Sequence, residues 1–229
     1  MATLTWFDRD GAAGREVPNS TAAYQDIWLE RGDESIVAAI VEDGRAALWR
    51  IDLRSGRRVA VTLDVPSNII DRARRVTSWS ADAVVYEVSG ADGRPEIWTD
   101  PPDGDAVPYL AGPGSQGGRL SAERRWMAYE SLENGDVEIY LRTFPDPNAG
   151  RWLLAGANAR RPVWRIDSSE IYHWSADGAL MATPLKRGEA FILPGRSTAL
   201  FTWTYADDPP PFAVTRDGRR VLVARPESR

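Results

Sequence analysis

Cysteine is absent from the 229-residue sequence, and histidine occurs once, at His173. The chain therefore has no disulfide framework, no thiolate nucleophile and no cysteine-based zinc site. A metal site built from several histidines is excluded, and a Ser-His-Asp triad would have to use His173. This histidine lies between Tyr172 and Trp174 in a predicted strand, which is typical of a packed strand residue. We therefore predict no catalytic residue.

Excess basic charge and long apolar segments are also missing. The net charge is −5, whereas proteins that bind nucleic-acid backbones concentrate Lys and Arg on one face and are usually basic. No window approaches the ~18 apolar residues of a membrane helix, and the N-terminus lacks the basic start and apolar run of a secretory signal. We expect neither a nucleic-acid nor a membrane partner. The expected location is cytoplasmic, either for this chain or for a larger protein of which it is a fragment.

Helical periodicity is equally lacking. The 19 Gly and 16 Pro are spread along the chain, and no stretch keeps apolar residues at i, i+3, i+4 and i+7 for more than about two turns. Instead, one pattern occurs five times at intervals of about 40 to 50 residues, as in propeller blades. It consists of a polar turn, a short apolar strand, a second polar turn and a strand that ends in an aromatic or large apolar residue. The clearest copies span residues 121–142 and 165–184.

Glycine marks the second turn of four copies, each time after Asp or Asn. These glycines are Gly44, Gly93, Gly135 and Gly178. Glycine supplies the positive φ that tight hairpin turns require, and Asp or Asn before it tolerates the same region. Each of these turns is therefore predicted to join two antiparallel strands.

The fifth copy is divided between the two ends of the chain. Residues 212–224 supply two strands, and residues 4–17 supply the two that complete the repeat. Pairing of the ends would close a ring and remove its exposed edges. We therefore predict an all-β, five-bladed β-propeller of four-stranded antiparallel blades, in one domain over residues 1–229. A monomer is expected, with a strand-exchanged oligomer as the alternative. The predicted blades are approximately residues 19–63, 64–111, 112–156, 157–202, and 203–229 completed by 1–18.

These repeats resemble those of TolB-like β-propellers, which have WD-like repeats. Residues 121–129 look like the family's Ser-Pro-Asp-Gly repeat, and Asp217-Gly218 keeps its Asp-Gly centre. Residues 119–224 are also similar to the propeller sensor segments of bacterial serine/threonine kinases. The proline of the signature is replaced in every copy, and five repeats stand where the family usually has six. The resemblance covers nearly the whole chain and implies a protein-binding or ligand-sensing propeller.

Charged residues are frequent in the segments that lead into the predicted first strands, which line the channel of a propeller. Three arginines there are predicted to bind a carboxylate or phosphate, and four aspartates either to neutralise them or to hold a cation such as Ca²⁺. The arginines are Arg74, Arg119 and Arg161, and the aspartates are Asp26, Asp71, Asp207 and Asp208. A ring of mutually paired, solvated charges is the alternative for both sets.

Most of the ten tryptophans fall at repeat positions, as Trp6, Trp49 and Trp98 do on predicted third strands. Aromatic residues fixed to a repeat position are typical of packing. Trp203 and Tyr205 depart from the repeat and lie on a loop expected at the channel mouth. They are therefore predicted to contact a ligand.

Two functions agree with these patterns. The first is a non-catalytic module that binds a protein or a small ligand at the channel mouth, without a required cofactor. The second is a hydrolase in which a divalent cation, held by the aspartates, activates water against an ester, lactone or phosphoester.

Overall fold

The computed structural model describes residues 1–69, 71–80, 83–100, 105–112, 114–189, 191–205 and 208–227. These residues form β-strands joined by turns and loops, and they contain no helix. In chain order the strands are β1 (Ala2–Asp8), β2 (Ala13–Glu16), β3 (Tyr24–Leu29), β4 (Ser35–Glu42), β5 (Arg45–Asp52), β6 (Arg58–Val61), β7 (Ala73–Ser80), β8 (Ala83–Ser89), β9 (Pro95–Thr99), β10 (Val107–Leu110), β11 (Ser115–Leu120), β12 (Trp126–Ser131), β13 (Glu138–Thr143), β14 (Arg151–Ala155), β15 (Arg160–Trp164), β16 (Glu170–Trp174), β17 (Ala179–Arg187), β18 (Ile192–Pro194), β19 (Thr198–Thr202), β20 (Phe212–Val214) and β21 (Arg220–Pro226).

Five antiparallel sheets contain these strands, each built on a path of four. The predicted all-β, five-bladed propeller is therefore confirmed. Two compact units are distinguished within it. The terminal unit comprises Met1–Asp64 with Leu200–Arg229, and the central unit comprises Val65–Ala199. Among the described residues, no helix is long and apolar enough to cross a membrane.

The terminal unit contains two sheets, ordered β3-β4-β5-β6 and β2-β1-β21-β20. In the second sheet, β1 pairs with β21 over seven residue pairs, from Ala2 with Pro226 to Asp8 with Arg220. The first and last strands of the chain thus lie in one sheet, while closure of a ring stays a prediction. Apolar residues of both sheets, including Leu4, Ile36 and Leu222, form one buried cluster.

The central unit contains three sheets, ordered β7 to β10, β11 to β14 and β15 to β18. In the last of these, β19 also pairs with β17. Buried clusters lie between successive sheets. One cluster includes Ile97 and Met127, and the other includes Leu141 and Ile171. The second strands β8, β12 and β16 are buried along nearly their whole length, and they are accordingly rich in apolar residues.

The predicted hairpin turns are confirmed by the backbone. Gly44, Gly93, Gly135 and Gly178 have φ values of 77°, 78°, 95° and 80°, a region that glycine adopts without steric cost. These turns set the register of the second and third strands in four of the five sheets. They thereby fix which side chains of those strands face the neighbouring sheet.

Candidate functional site

Buried charge is concentrated on the first two strands of the sheets. Among the described residues, the buried Asp, Glu and Arg side chains are Asp26, Glu87, Arg119 and Glu130. Asp26 lies on β3 and Arg119 on β11, which are first strands, and the two glutamates lie on the second strands β8 and β12. A buried charge is costly unless it is paired and hydrogen-bonded, so the partners of the three residues in the central unit define the candidate site.

All three first strands of the central unit, β7, β11 and β15, carry irregularities in register, and those of β11 and β15 lie beside the buried glutamates. The shift in β11 lies between Gln116 and Arg119, and the shift in β15 lies between Arg160 and Val163. Within them, Gly117 and Arg161 have φ values of 63° and 56°. A bulge leaves a residue unpaired in the ladder and redirects side chains. Backbone amides within both irregularities therefore need acceptors other than those of the regular ladder.

Glu87 supplies the first of these acceptors. Its Oε2 accepts hydrogen bonds from Nε and Nη2 of Arg75 at 3.1 and 2.9 Å, and from the backbone N–H of Gly117 at 3.3 Å. The side chains of Arg75 and Glu87 are 22% and 9% exposed. This pair is thus a partly buried ion pair, and removing one partner of a buried pair typically costs about 3–5 kcal/mol.

Glu130 has the corresponding position one sheet later. Its Oε1 accepts the backbone N–H of Arg161 at 2.8 Å, and its Oε2 accepts Nε2 of Gln116 at 2.9 Å. Nη1 of Arg160 lies 4.0 Å from the same Oε2. Both carboxylates are therefore held by donors from β11 or β15 as well as from their own sheets.

Of the three predicted arginines, Arg161 contacts one of these carboxylates. Arg161 is bonded through its backbone to Glu130, and Arg119, on β11, is buried and accepts Nε1 of Trp164 on its carbonyl at 2.8 Å. Arg74 is exposed and turned along its own sheet. It donates to Ser89 Oγ at 2.6 Å and to the Gly93 carbonyl at 2.5 Å. Arg119 and Arg161 thus lie on successive first strands, whereas Arg74 contacts the β8–β9 turn.

The predicted aspartates have different surroundings. Asp26 is buried, and its Oδ1 accepts the backbone N–H of Ile27 at 3.0 Å, while Asp71 and Asp208 are exposed. Asp207 lies outside the described residues. In the part of the chain that the structure describes, no group of three or more His, Asp or Glu side chains could hold a metal ion.

Trp203 and Tyr205, the two aromatic residues predicted to contact a ligand, lie between β19 and β20 and are half-buried. The ring of Trp203 makes an edge-to-face contact with Phe7 on β1, with centroids 5.2 Å apart, and Cζ of Arg225 lies 5.9 Å from its centroid. Trp203 therefore has packing partners on β1 and β21. A ligand contact by Trp203 or Tyr205 stays a prediction.

Known structures match this chain by fold, although no protein-family model and no curated protein matches its sequence. A putative TolB from Agrobacterium tumefaciens has a TM-score of 0.63 and 13% identity, covering 98% of this chain and 97% of that one. TolB from Acinetobacter baumannii has a TM-score of 0.56 and 16% identity, covering 99% of this chain and 64% of that one. A nidogen/laminin complex gives a TM-score of 0.50 at 13% identity, over 94% of this chain and 82% of that one. The fold is that of a TolB-like β-propeller.

At these identities the TolB-like likeness establishes architecture and assigns no ligand. The resemblance to kinase sensor segments stays a prediction. This chain spans about two thirds of the Acinetobacter baumannii TolB.

Sequence reasoning missed Glu87 and Glu130, although the TolB-like repeat contains a signal for them. Tyr86-Glu87, Tyr129-Glu130 and Tyr172-His173 recur at intervals of 43 residues. His173 is 3% exposed, and burial lowers its pKa from 6.5 to about 4. A polar residue repeated directly after a buried tyrosine on the second strand could have identified this position.

Proposed function

We propose that this TolB-like propeller is a non-catalytic binding module that recognises an anionic group, a carboxylate or phosphate, near Arg119 and Arg161. Arginine presents a planar fork of donors that matches either anion. A protein partner would supply such a group as a side chain or C-terminal carboxylate, and a small ligand would supply it directly.

Buried charge on the first two strands is the main support for this proposal. Burial of isolated charge is unfavourable, yet Glu87, Arg119 and Glu130 of the central unit are all buried there. Arg75, Gln116 and two backbone amides hold the glutamates. Fixed donors and acceptors favour recognition because less freedom is lost on binding.

The test is titration with inorganic phosphate, and separately with an acidic peptide that ends in a free carboxylate, at constant ionic strength. A ligand that binds only the folded chain raises the free energy of unfolding by about 2.7 kcal/mol at a hundred times its Kd. We expect one of these probes to raise the melting temperature saturably in the wild type. The two probes distinguish a phosphate ligand from a peptide partner.

Arg161→Gln is the informative variant, and Arg94→Gln is its matched control because the Arg94 side chain is 63% exposed in the β8–β9 turn. The first change should abolish the response and the second should preserve it. A wild type that responds to neither probe, or an Arg161→Gln response equal to that of the wild type, would contradict the proposal. Chelator-sensitive turnover of an ester, lactone or phosphoester would instead favour the cation-dependent hydrolase.

A further inference from the structure

Two glutamates of the central unit make the same contact across successive sheet boundaries. Glu87 on β8 accepts the backbone N–H of Gly117 on β11, at 3.3 Å. Glu130 on β12 accepts the backbone N–H of Arg161 on β15, at 2.8 Å. In each case a second-strand carboxylate reaches the first strand of the following sheet.

The two amides are also alike in their backbone setting. Gly117 and Arg161 both lie within irregularities of their strands, and both have positive φ, at 63° and 56°. An amide displaced from the ladder loses its regular partner, and a buried backbone N–H needs a replacement. A carboxylate provides a strong one because hydrogen bonds to ionised acceptors are shorter and stronger than neutral ones.

Each carboxylate is anchored at the same time to its own sheet. Glu87 binds the guanidinium of Arg75 on β7, and Glu130 binds the side-chain amide of Gln116 on β11. The carboxylate thus connects the first strand of its own sheet with the first strand of the next. His173 has the same repeat position on β16, so the series of carboxylates stops at the third sheet of the unit.

We infer that Glu87 and Glu130 are positioning residues that hold the irregular first strands of the sheets following them. Gly117 adopts positive φ without steric cost, whereas Arg161 carries a Cβ and belongs to a residue type that is uncommon there. The Glu130 contact therefore stabilises a backbone conformation that Arg161 would otherwise leave. The direction of the Arg161 side chain follows from that backbone, and only this last step rests on the proposed function.

Amide hydrogen exchange tests the inference without any ligand. Exchange at Gly117 and Arg161 would be followed by NMR in the wild type, Glu87→Ala and Glu130→Ala, with the Leu141 amide of the buried core as the reporter of global opening. We expect Glu130→Ala to accelerate exchange about ten- to hundredfold at Arg161. This acceleration should exceed any change at Leu141 and at Gly117, beside which the Glu130 side chain also lies. Glu87→Ala should accelerate exchange at Gly117 beyond any change at Arg161 or Leu141, so the ratio of the two accelerations in one variant is the control for the other.

Conservative variants separate positioning from general support of the fold. Glu130→Gln and Glu87→Gln keep an acceptor oxygen and should restore most of the protection at Arg161 and Gly117, respectively. If an alanine variant does not fold, the glutamine variant at the same position tests the inference. It should accelerate hydrogen exchange at the same amide, by a smaller factor. Unchanged exchange at the partner amide, or equal acceleration at both amides and at Leu141, would overturn the inference.

Inorganic phosphate provides the link to the proposed function. If both proposals hold, Glu130→Ala should weaken phosphate binding, because the Arg161 backbone depends on its hydrogen bond to Glu130. Glu87→Ala should have a smaller effect. If the wild type binds no phosphate, the exchange pattern still decides the positioning role. Glu130→Ala could accelerate exchange at Arg161 and yet leave phosphate binding unchanged. That result would show that the Arg161 backbone conformation does not determine how its side chain binds the anion.

Discussion

At the scale of single residues, the environment of His173 favours the neutral imidazole. Its Nδ1 is buried without a hydrogen-bond partner among the described residues, and burial lowers its pKa from 6.5 to about 4. Between these values the unfolded chain binds a proton that the folded chain does not. The free energy of unfolding is therefore undiminished above pH 6.5 and falls as the pH decreases towards 4, by about 3 kcal/mol for this group.

The comparison that isolates this effect is wild type against His173→Phe, by urea denaturation at pH 7 and pH 4.5. Carboxylates that titrate in the same range affect both proteins and cancel in the difference. We expect the wild type to lose about 2 kcal/mol more than the variant over this interval. Equal losses in the two proteins would show that His173 does not titrate in the folded chain as described.

A repeated pair on the third strands leads to a second prediction. Glu96 Oε2 accepts Nε1 of Trp98 at 2.8 Å, and Glu138 Oε2 accepts the hydroxyl of Tyr140 at 2.9 Å. The corresponding Trp49 has Ala47 two residues before it, and its buried Nε1 has no hydrogen-bond partner among the described residues. Ala47→Glu should supply the missing acceptor and raise the free energy of unfolding by about 1 kcal/mol.

Ala46→Glu is the matched control for this substitution. Ala46 and Ala47 are both exposed on β5, but successive side chains of a strand point to opposite faces. Only Ala47→Glu should stabilise the chain in urea denaturation, and Trp49→Phe should remove the gain. An equal change from both substitutions would indicate a general effect of charge.

Some residue roles could be predicted from the sequence because their requirements are local. Gly44 and Gly178 follow from the positive φ that tight hairpin turns require. The roles of Glu87 and Glu130 could not be predicted in this way, since each depends on an irregularity in the next sheet. The contact of Arg74 could not be predicted either. Its position at the start of a first strand does not determine that its guanidinium turns towards the Gly93 carbonyl.

At the scale of elements, close approach between sheets makes Gly118 on β11 sensitive to substitution. A Cβ at this position would lie 2.9 Å from Cγ2 of Ile97 and 3.2 Å from Cγ1 of Val85, both in the preceding sheet. The backbone is outside the left-handed region, so the cost is steric alone. We expect Gly118→Ala to lower the free energy of unfolding by about 1–3 kcal/mol in urea denaturation.

Gly112→Ala serves as the control, because a Cβ there would meet nothing within 4 Å. Its effect should stay within about 0.5 kcal/mol. In an Ile97→Ala background, Gly118→Ala should cost less than in the wild type, since the obstructing methyl group is gone. Strictly additive effects of the two substitutions would contradict a direct clash.

Strands and hairpins were predictable at this scale because apolar runs bounded by turn residues recur along the chain. The irregularities of β11 and β15 were not predictable, because a bulge is defined by the residues opposite it and not by its own strand. This limit matters for the candidate site. Arg119 and Arg161 were predicted in the segments that lead into first strands, and they lie on β11 and β15 themselves. The contact of the Arg161 backbone with Glu130 could not be predicted from the repeat.

At the scale of the whole molecule, the number of blades was predictable because half a repeat stands at each end of the sequence. The ligand was not, because the repeated residues are turn and packing residues that any propeller needs. The pairing of β1 with β21 allows a test of whether the two ends of the chain together stabilise the whole molecule. Antiparallel pairing brings Ala2 beside Pro226, so a short turn can connect them.

Circular permutation and truncation should therefore have opposite outcomes. A permuted chain that runs from residue 19 to 226, through a short Asn-Gly-containing linker, and then from 2 to 18 keeps every strand and makes the β21–β1 connection covalent. Deletion of residues 1–18 removes β1 and β2, and with them Leu4 and Trp6 from the buried cluster of the terminal unit. It also leaves β21 with an unpaired edge, which favours association with other chains.

Thermal unfolding and size-exclusion chromatography distinguish these cases. The permuted chain should remain monomeric, with a Tm close to that of the wild type, because it keeps every strand pairing and only moves the free ends to an exposed loop. The truncated chain should aggregate or lose more than about 10 °C in Tm, since each kcal/mol corresponds to about 2–4 °C at this size and large core side chains cost several kcal/mol each. A truncated monomer of unchanged Tm would mean that β1 adds nothing to the fifth sheet. A permuted chain that fails to fold would mean that the free ends are required.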